Sequence, residues 1–217
     1  MKLQTLRRNS GIAAAAIALS VTLAACGEDE EPTTGSDDSS ASTPAETPDE
    51  TTEASAADQV FGDGCAAVPT DGKGSFDGMV SDPVATAASN NPLLSTLVTA
   101  VGEADLGGTL NDAPELTVFA PVNDAFAAIP EDQLNAILAD KALLTKILTH
   151  HVVGGQLDPT AVAGEQETLN KDMLTVEGDE TGMTVSDGKV TANVICGNVP
   201  TANATVYIID QVLAGAK

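Results

Sequence analysis

Apolar residues follow three different patterns along the 217-residue chain. The first is an unbroken uncharged run at residues 11–25, rich in Ala, Ile, Leu and Val. The second has helical spacing. Leu93, Leu97 and Val101 share one line with Leu94 and Val98 beside it, which predicts a helix over 92–104. Asp82-Pro83 marks another helix start, with proline at the first helical position. Leu134, Ile137 and Leu138 predict a helix over 131–139, and Leu143, Leu144, Ile147, Leu148 and His151 predict one over 141–151. A short apolar strand is expected at 116–120, followed by a brief helix through Ala128 capped by Asn123 or Asp124. The third pattern is of short strands, expected at 168–169, 174–176, 183–185, 190–194 and 205–212. Glycine-containing turns separate several of them, and Asp187-Gly188 favours a tight hairpin. Helices first and strands afterwards predict an α+β domain.

Between the apolar run and the first helix the pattern disappears. Residues 27–58 hold eleven acidic residues, no basic residue and no large apolar one. Such a segment cannot bury enough surface to offset its ordering entropy and is expected to be a disordered stalk. The expected organisation is a leader at 1–25, an acidic Ser/Thr/Pro-rich stalk at 26–58 and one folded domain at 59–217.

Lys2, Arg7 and Arg8 precede the apolar run, and Leu23-Ala24-Ala25-Cys26 closes it. A basic start, an apolar middle and small residues before a cut are the layout of a secretory signal. The apolar stretch falls short of the ~20 residues a spanning helix needs. The closing residues resemble the lipobox of bacterial lipoproteins, which implies lipid attachment at Cys26 and a location at the outer face of the cell membrane. Removing residues 1–25, which carry three of the nine basic residues and none of the 32 acidic ones, leaves six lysines and a net charge of −26. That balance argues against nucleic acid as a partner and against electrostatic attraction to anionic lipid. Membrane attachment is therefore expected through the lipid anchor only.

With lipid on Cys26, Cys65 and Cys196 remain in a chain bound for an oxidising compartment. They are expected to pair; two free buried thiols are the alternative. The bridge would close a loop of roughly 130 residues, worth up to ~5 kcal/mol by chain entropy. Catalytic signatures are missing: the chain has no Gly-x-Ser-x-Gly elbow, phosphate-binding glycine loop, His-Glu-x-x-His or zinc-type cysteine spacing. The only histidines are the adjacent His150 and His151, which on a helix point about 100° apart and cannot clamp one metal together. His151 shares the apolar line of its helix and reads as a buried, hydrogen-bonded histidine; a ligand or a catalytic base is the alternative. No metal or other cofactor is expected. Asn203-Ala204-Thr205 fits an N-glycosylation pattern, taken as chance in a bacterial chain.

Thr117-Val118-Phe119-Ala120-Pro121-Val122-Asn123-Asp124-Ala125-Phe126 resembles the first signature of the fasciclin (FAS1) domain family. Ile147-Leu148-Thr149-His150-His151-Val152-Val153-Gly154-Gly155 resembles its central Tyr-His segment, and residues 202–213, Ala202 to Leu213, its closing signature. The resemblance extends to mycobacterial surface lipoproteins and secreted antigens with one such domain. It implies helices packed on a β-sandwich or wedge formed mainly by the second half. It also implies a role in adhesion, without catalysis. Phe119, Asn123, Phe126 and His151 become family-motif core positions, with Asn123 or Asp124 the expected partner of His151. The chain departs from the family where His150 replaces the Tyr and Gly154 the following Pro. Asn170-Lys171-Asp172-Met173-Leu174 is similar to a segment linked to integrin contact, so His150, Asn170, Lys171 and Asp172 are candidate partner contacts.

The expected function is a lipid-anchored surface module that binds extracellular matrix, host or cell-envelope proteins. The alternative is a small-ligand-binding surface lipoprotein, which would require a deep apolar pocket. An enzyme would require convergent carboxylates in a cleft.

Overall fold

The two periodicities divide the described chain, residues 55–214 of a computed structural model, into a helical half and a sheet half. The expected leader, Cys26 and nearly all of the stalk lie outside the described residues. The helices are α1 (Phe76–Met79), α2 (Val84–Asn90), α3 (Ser95–Glu103) and α4 (Gly107–Asp112), then, after β1 (Leu116–Pro121), α5 (Asn123–Ala127), α6 (Glu131–Ala139) and α7 (Lys141–His150). The strands β2 (Val152–Gly154), β3 (Gly164–Glu167), β4 (Met173–Asp179), β5 (Gly182–Ser186), β6 (Thr191–Pro200) and β7 (Ala204–Ile209) complete the order.

All seven strands join in one sheet of order β2-β1-β7-β6-β5-β4-β3. Among the described residues only the β1–β7 pairing is parallel. Irregularities in β6 between Val194 and Cys196 and between Cys196 and Val199 bend the sheet. A bridge between Val153 and Thr168 then brings its two ends together, so the sheet is nearly closed. This single curled sheet is the form taken by the expected sandwich or wedge.

Strand alternation sorts the core into two layers. Val118, Ala120, Val206 and Ile208 face the helices. Phe119, Tyr207 and Ile209 face the interior of the curled sheet, with Leu174, Val176, Met183 and Val185. The rings of Phe119 and Tyr207 lie 5.7 Å apart, and the Tyr207 hydroxyl donates to the Leu157 carbonyl at 3.0 Å. The three stretches that carry the resemblance meet here: β1 runs beside β7, and the Phe119 N–H donates to the His151 carbonyl at 2.9 Å.

Cys65 and Cys196 form a disulfide that fastens the turn Asp63–Ala67 to β6 across 131 residues. Beside it, Phe61 pairs with Gly197 through the backbone. A Cβ on Gly197 would stand 2.2 Å from the Phe61 ring, so this contact requires glycine.

Several sequence expectations shift. Ser55 caps the turn Ala56–Asp58, and its hydroxyl and the Ala56 N–H both donate to Asp77. Asp77 thereby fastens residues 55–58, which precede the expected domain start at Gln59, to α1. The brief helix α5 is not capped by Asn123 or Asp124; Val122 precedes it without a side-chain bond. Asn123 instead accepts from the Thr96 N–H at 2.9 Å and donates to the Pro92 carbonyl at 2.9 Å, which closes the start of α3. The strand expected at 168–169 lies at β3, because Thr168 already belongs to the turn after it. Asn203 is buried with its amide fully engaged, so this sequon offers no free acceptor.

Candidate functional site

The residue at the end of α7 organises the surface most worth attention. Its helix begins on Asp140, whose carboxylate accepts from the Ala142 and Leu143 N–H groups, and buries Leu144, Ile147 and Leu148. That helical phase places His150 inward, with 1% of its surface exposed. His150 Nδ1–H donates to Asp172 at 2.7 Å. Its Nε2 stands 3.8 Å from Asp187 Oδ2 and has no hydrogen-bond partner. Asp172 lies between β3 and β4, and Asp187 between β5 and β6, where it accepts from the Lys189 and Val190 N–H groups. One imidazole is therefore hydrogen-bonded to one hairpin turn and lies beside a second.

Asp172 is held on several sides. Partial burial works against its charge, but hydrogen bonds from Thr168, His150 and Asn170 outweigh this and keep its carboxyl below the usual aspartate range. Asn170 Nδ2 donates to it at 2.6 Å, and the Thr168 hydroxyl donates to its other oxygen. The Thr168 N–H donates to the Asp172 carbonyl at 2.9 Å, and the Lys171 N–H to the Thr168 carbonyl at 2.9 Å. Lys171 consequently adopts a left-handed backbone, φ 67°, unusual for a side-chain-bearing residue. The Leu169 N–H donates to the Val152 carbonyl and fixes the turn against β2.

This rigid turn presents two large apolar side chains to solvent, Leu169 at 45% and Met173 at 48% exposure. Between them stands the exposed Lys171, paired with Glu167 at 3.0 Å. The structure thus divides the expected contact residues. Lys171 is at the surface, while His150 and Asp172 lie beneath it and hold the turn from inside. His150 cannot touch a partner directly, because its helix phase buries it. Leu169 and Asp187 were not singled out from sequence. From sequence Leu169 reads as part of a short strand and Asp187 as a hairpin signal with weak, nonspecific cation attraction; neither reading points to this turn.

His151 points elsewhere. Its ring is edge-on to His150, with 6.1 Å between centroids. Nδ1–H donates to the Ile147 carbonyl at 2.8 Å, and Nε2 accepts from the Leu213 N–H at 3.0 Å. The expected partner, Asn123 or Asp124, is thus replaced by two backbone groups, since Asn123 is committed to α3. Burial is the main cause that lowers the His151 pKa to about 4. Phe119 and Phe126 are buried in the two core layers. Among the described residues no group of three or more His, Cys, Asp or Glu side chains is placed to hold a metal ion.

Comparison with known proteins places this arrangement in context. The family model for the fasciclin domain matches residues 92–215. Immunogenic protein MPB70 of Mycobacterium bovis is 46% identical over 167 residues, which cover 73% of this chain and 83% of that protein. The cell surface glycolipoprotein MPB83 of the same species is 46% identical over 163 residues, 71% of each. Protein sll1483 of Synechocystis is 42% identical over 132 residues, 58% of this chain and 69% of that protein. A solved FAS1 domain pair from the insect cell adhesion molecule Fasciclin I is similar at a TM-score of 0.47 and 25% identity, covering 56% of this chain and 45% of that one.

Proposed function

Because the chain belongs to the fasciclin family, we propose that it is an interaction module displayed at the outer cell surface, where it binds a matrix, host or envelope protein by contact and not by bond-breaking. Its similarity to a protein named as a cell surface glycolipoprotein supports the location. The leader and Cys26 support lipid attachment as the means of display.

The observation that carries the reading is the turn after β3. Leu169 and Met173 are exposed on a backbone that buried His150 and partly buried Asp172 hold in place. An apolar pair on a backbone held this way is a suitable anchor, because little loop entropy remains to be lost on binding. Lys171 and Glu167 form an exposed ion pair beside it.

Surface plasmon resonance over immobilised extracellular-matrix proteins and host-cell membrane proteins tests this. Leu169→Asp and Met173→Asp should each weaken binding by about tenfold or more, the range of an interface anchor. Glu131→Lys on α6 should leave that contact in place. Equal affinity of the two turn variants and the parent would discard this surface. Asp172→Ala is a less direct probe, because it loosens the turn without removing a contact.

A further inference from the structure

A cavity of about 190 Å³ lies between the helices and the sheet. Leu97, Val101, Leu110, Val118, Leu148 and Val152 form most of its wall. The polar side chains on its lining are Ser89 and His151. Ser89 is exposed and donates its hydroxyl hydrogen to the Ala85 carbonyl. Both ring nitrogens of His151 are already engaged with backbone groups. Nothing deep in the cavity is free to hold a polar ligand atom, so whatever fills that part must be apolar.

The opening is formed by small residues. Ala85, Ser89, Gly102 and Gly107 line it and are exposed or half-buried, and a Cβ on either glycine would meet open space. The helices α2, α3 and α4 that surround it come from a stretch without any positive charge: residues 74–140 contain ten carboxylates and no Lys, Arg or His. Glu103 and Asp105 are exposed next to Gly102 in the chain. A carboxylate or phosphate headgroup would meet no lysine or arginine among the described residues that line the cavity.

We propose that this cavity binds the unbranched alkyl chain of an uncharged amphiphile, with the headgroup at the opening beside Ser89 and Gly102. Size sets the length. An apolar cavity of about 150 Å³ holds a six-carbon ring, so this one accommodates roughly seven or eight carbons.

Calorimetric titration of the full chain with 1-alkanols, from butanol to dodecanol, tests the proposal. The Kd should fall roughly fourfold per added methylene, the effect of burying one CH₂, and then level off near octanol. Alkanoates of matched length should bind about tenfold more weakly or worse, since their charge must be desolvated beside like charges. Gly102→Phe places a ring at the opening on a helix that tolerates it, and should weaken octanol binding by about tenfold without lowering the melting temperature. Val101→Ala enlarges the wall and should move the levelling point to a longer alkanol. Absence of saturable binding would overturn the proposal. So would affinity that keeps rising with length and is unchanged in Gly102→Phe, or alkanoates that bind as well as alkanols.

Discussion

His151 is neutral because of where it sits. Its Nε2 accepts from the Leu213 N–H, and a proton on that nitrogen would set two donors against each other. Burial lowers its pKa from 6.5 to about 4. A folded-state pKa below the unfolded one contributes stability that is fully present above pH 6.5 and is lost as pH falls through 4. The loss attributable to this residue is about 3 kcal/mol. Urea unfolding at pH 7 and pH 4 should show it as a difference between the parent and His151→Phe, whose stability should change less over the same interval. An identical pH response of the two would remove His151 as the cause. His150, one residue earlier, donates to the Asp172 carboxylate and holds a surface turn. Adjacent residues serve separate parts of the fold because a helix turns their side chains about 100° apart.

Two helices are started by side chains remote in sequence. Asn123 accepts from the Thr96 N–H at the start of α3. Asn203 accepts from the Val84 N–H at the start of α2, 119 residues away, and donates to the Leu110 and Ala113 carbonyls at 2.8 Å each. Pro83, which precedes α2, has no side-chain donor or acceptor to do this itself. Asn203→Ala should cost about 2–3 kcal/mol, since it removes a cap and strands buried backbone groups. Amide exchange at Val84 should accelerate in that variant, whereas an unchanged rate would show that water replaces the cap. The helices themselves were largely legible: α6 lies where its apolar spacing put it, and α7 within one residue of it. The single-turn α1, the glycine-led α4 and the three-residue β2 were not, because so few residues carry no readable period.

At the scale of the molecule, closure comes from long-range ties. The parallel β1–β7 pair forms the middle of the core, the Val153–Thr168 bridge brings the sheet ends together, and the disulfide holds the first turn on β6. The paired replacement Cys65→Ser with Cys196→Ser should cost about 3–5 kcal/mol through the freed loop. Scanning calorimetry should read this as a fall of about 10 °C in Tm. No change in Tm would mean that strain in the folded state offsets the entropy.

Much about this protein is local and therefore present in its sequence. Apolar period distinguishes the helical half from the sheet half. Composition separates the acidic segment from the residues after it, and it leaves six lysines against 32 carboxylates beyond the leader. The three fasciclin stretches identify the family. The partners of Asn123, Asn203, His150 and His151, the exposure of Leu169 and Met173, and the cavity under α2 and α3 were decided only by the tertiary structure. Each depends on groups brought together across dozens of residues. Hydrogen-bond direction, burial and leftover volume are properties of that closure and leave no periodic trace along the chain.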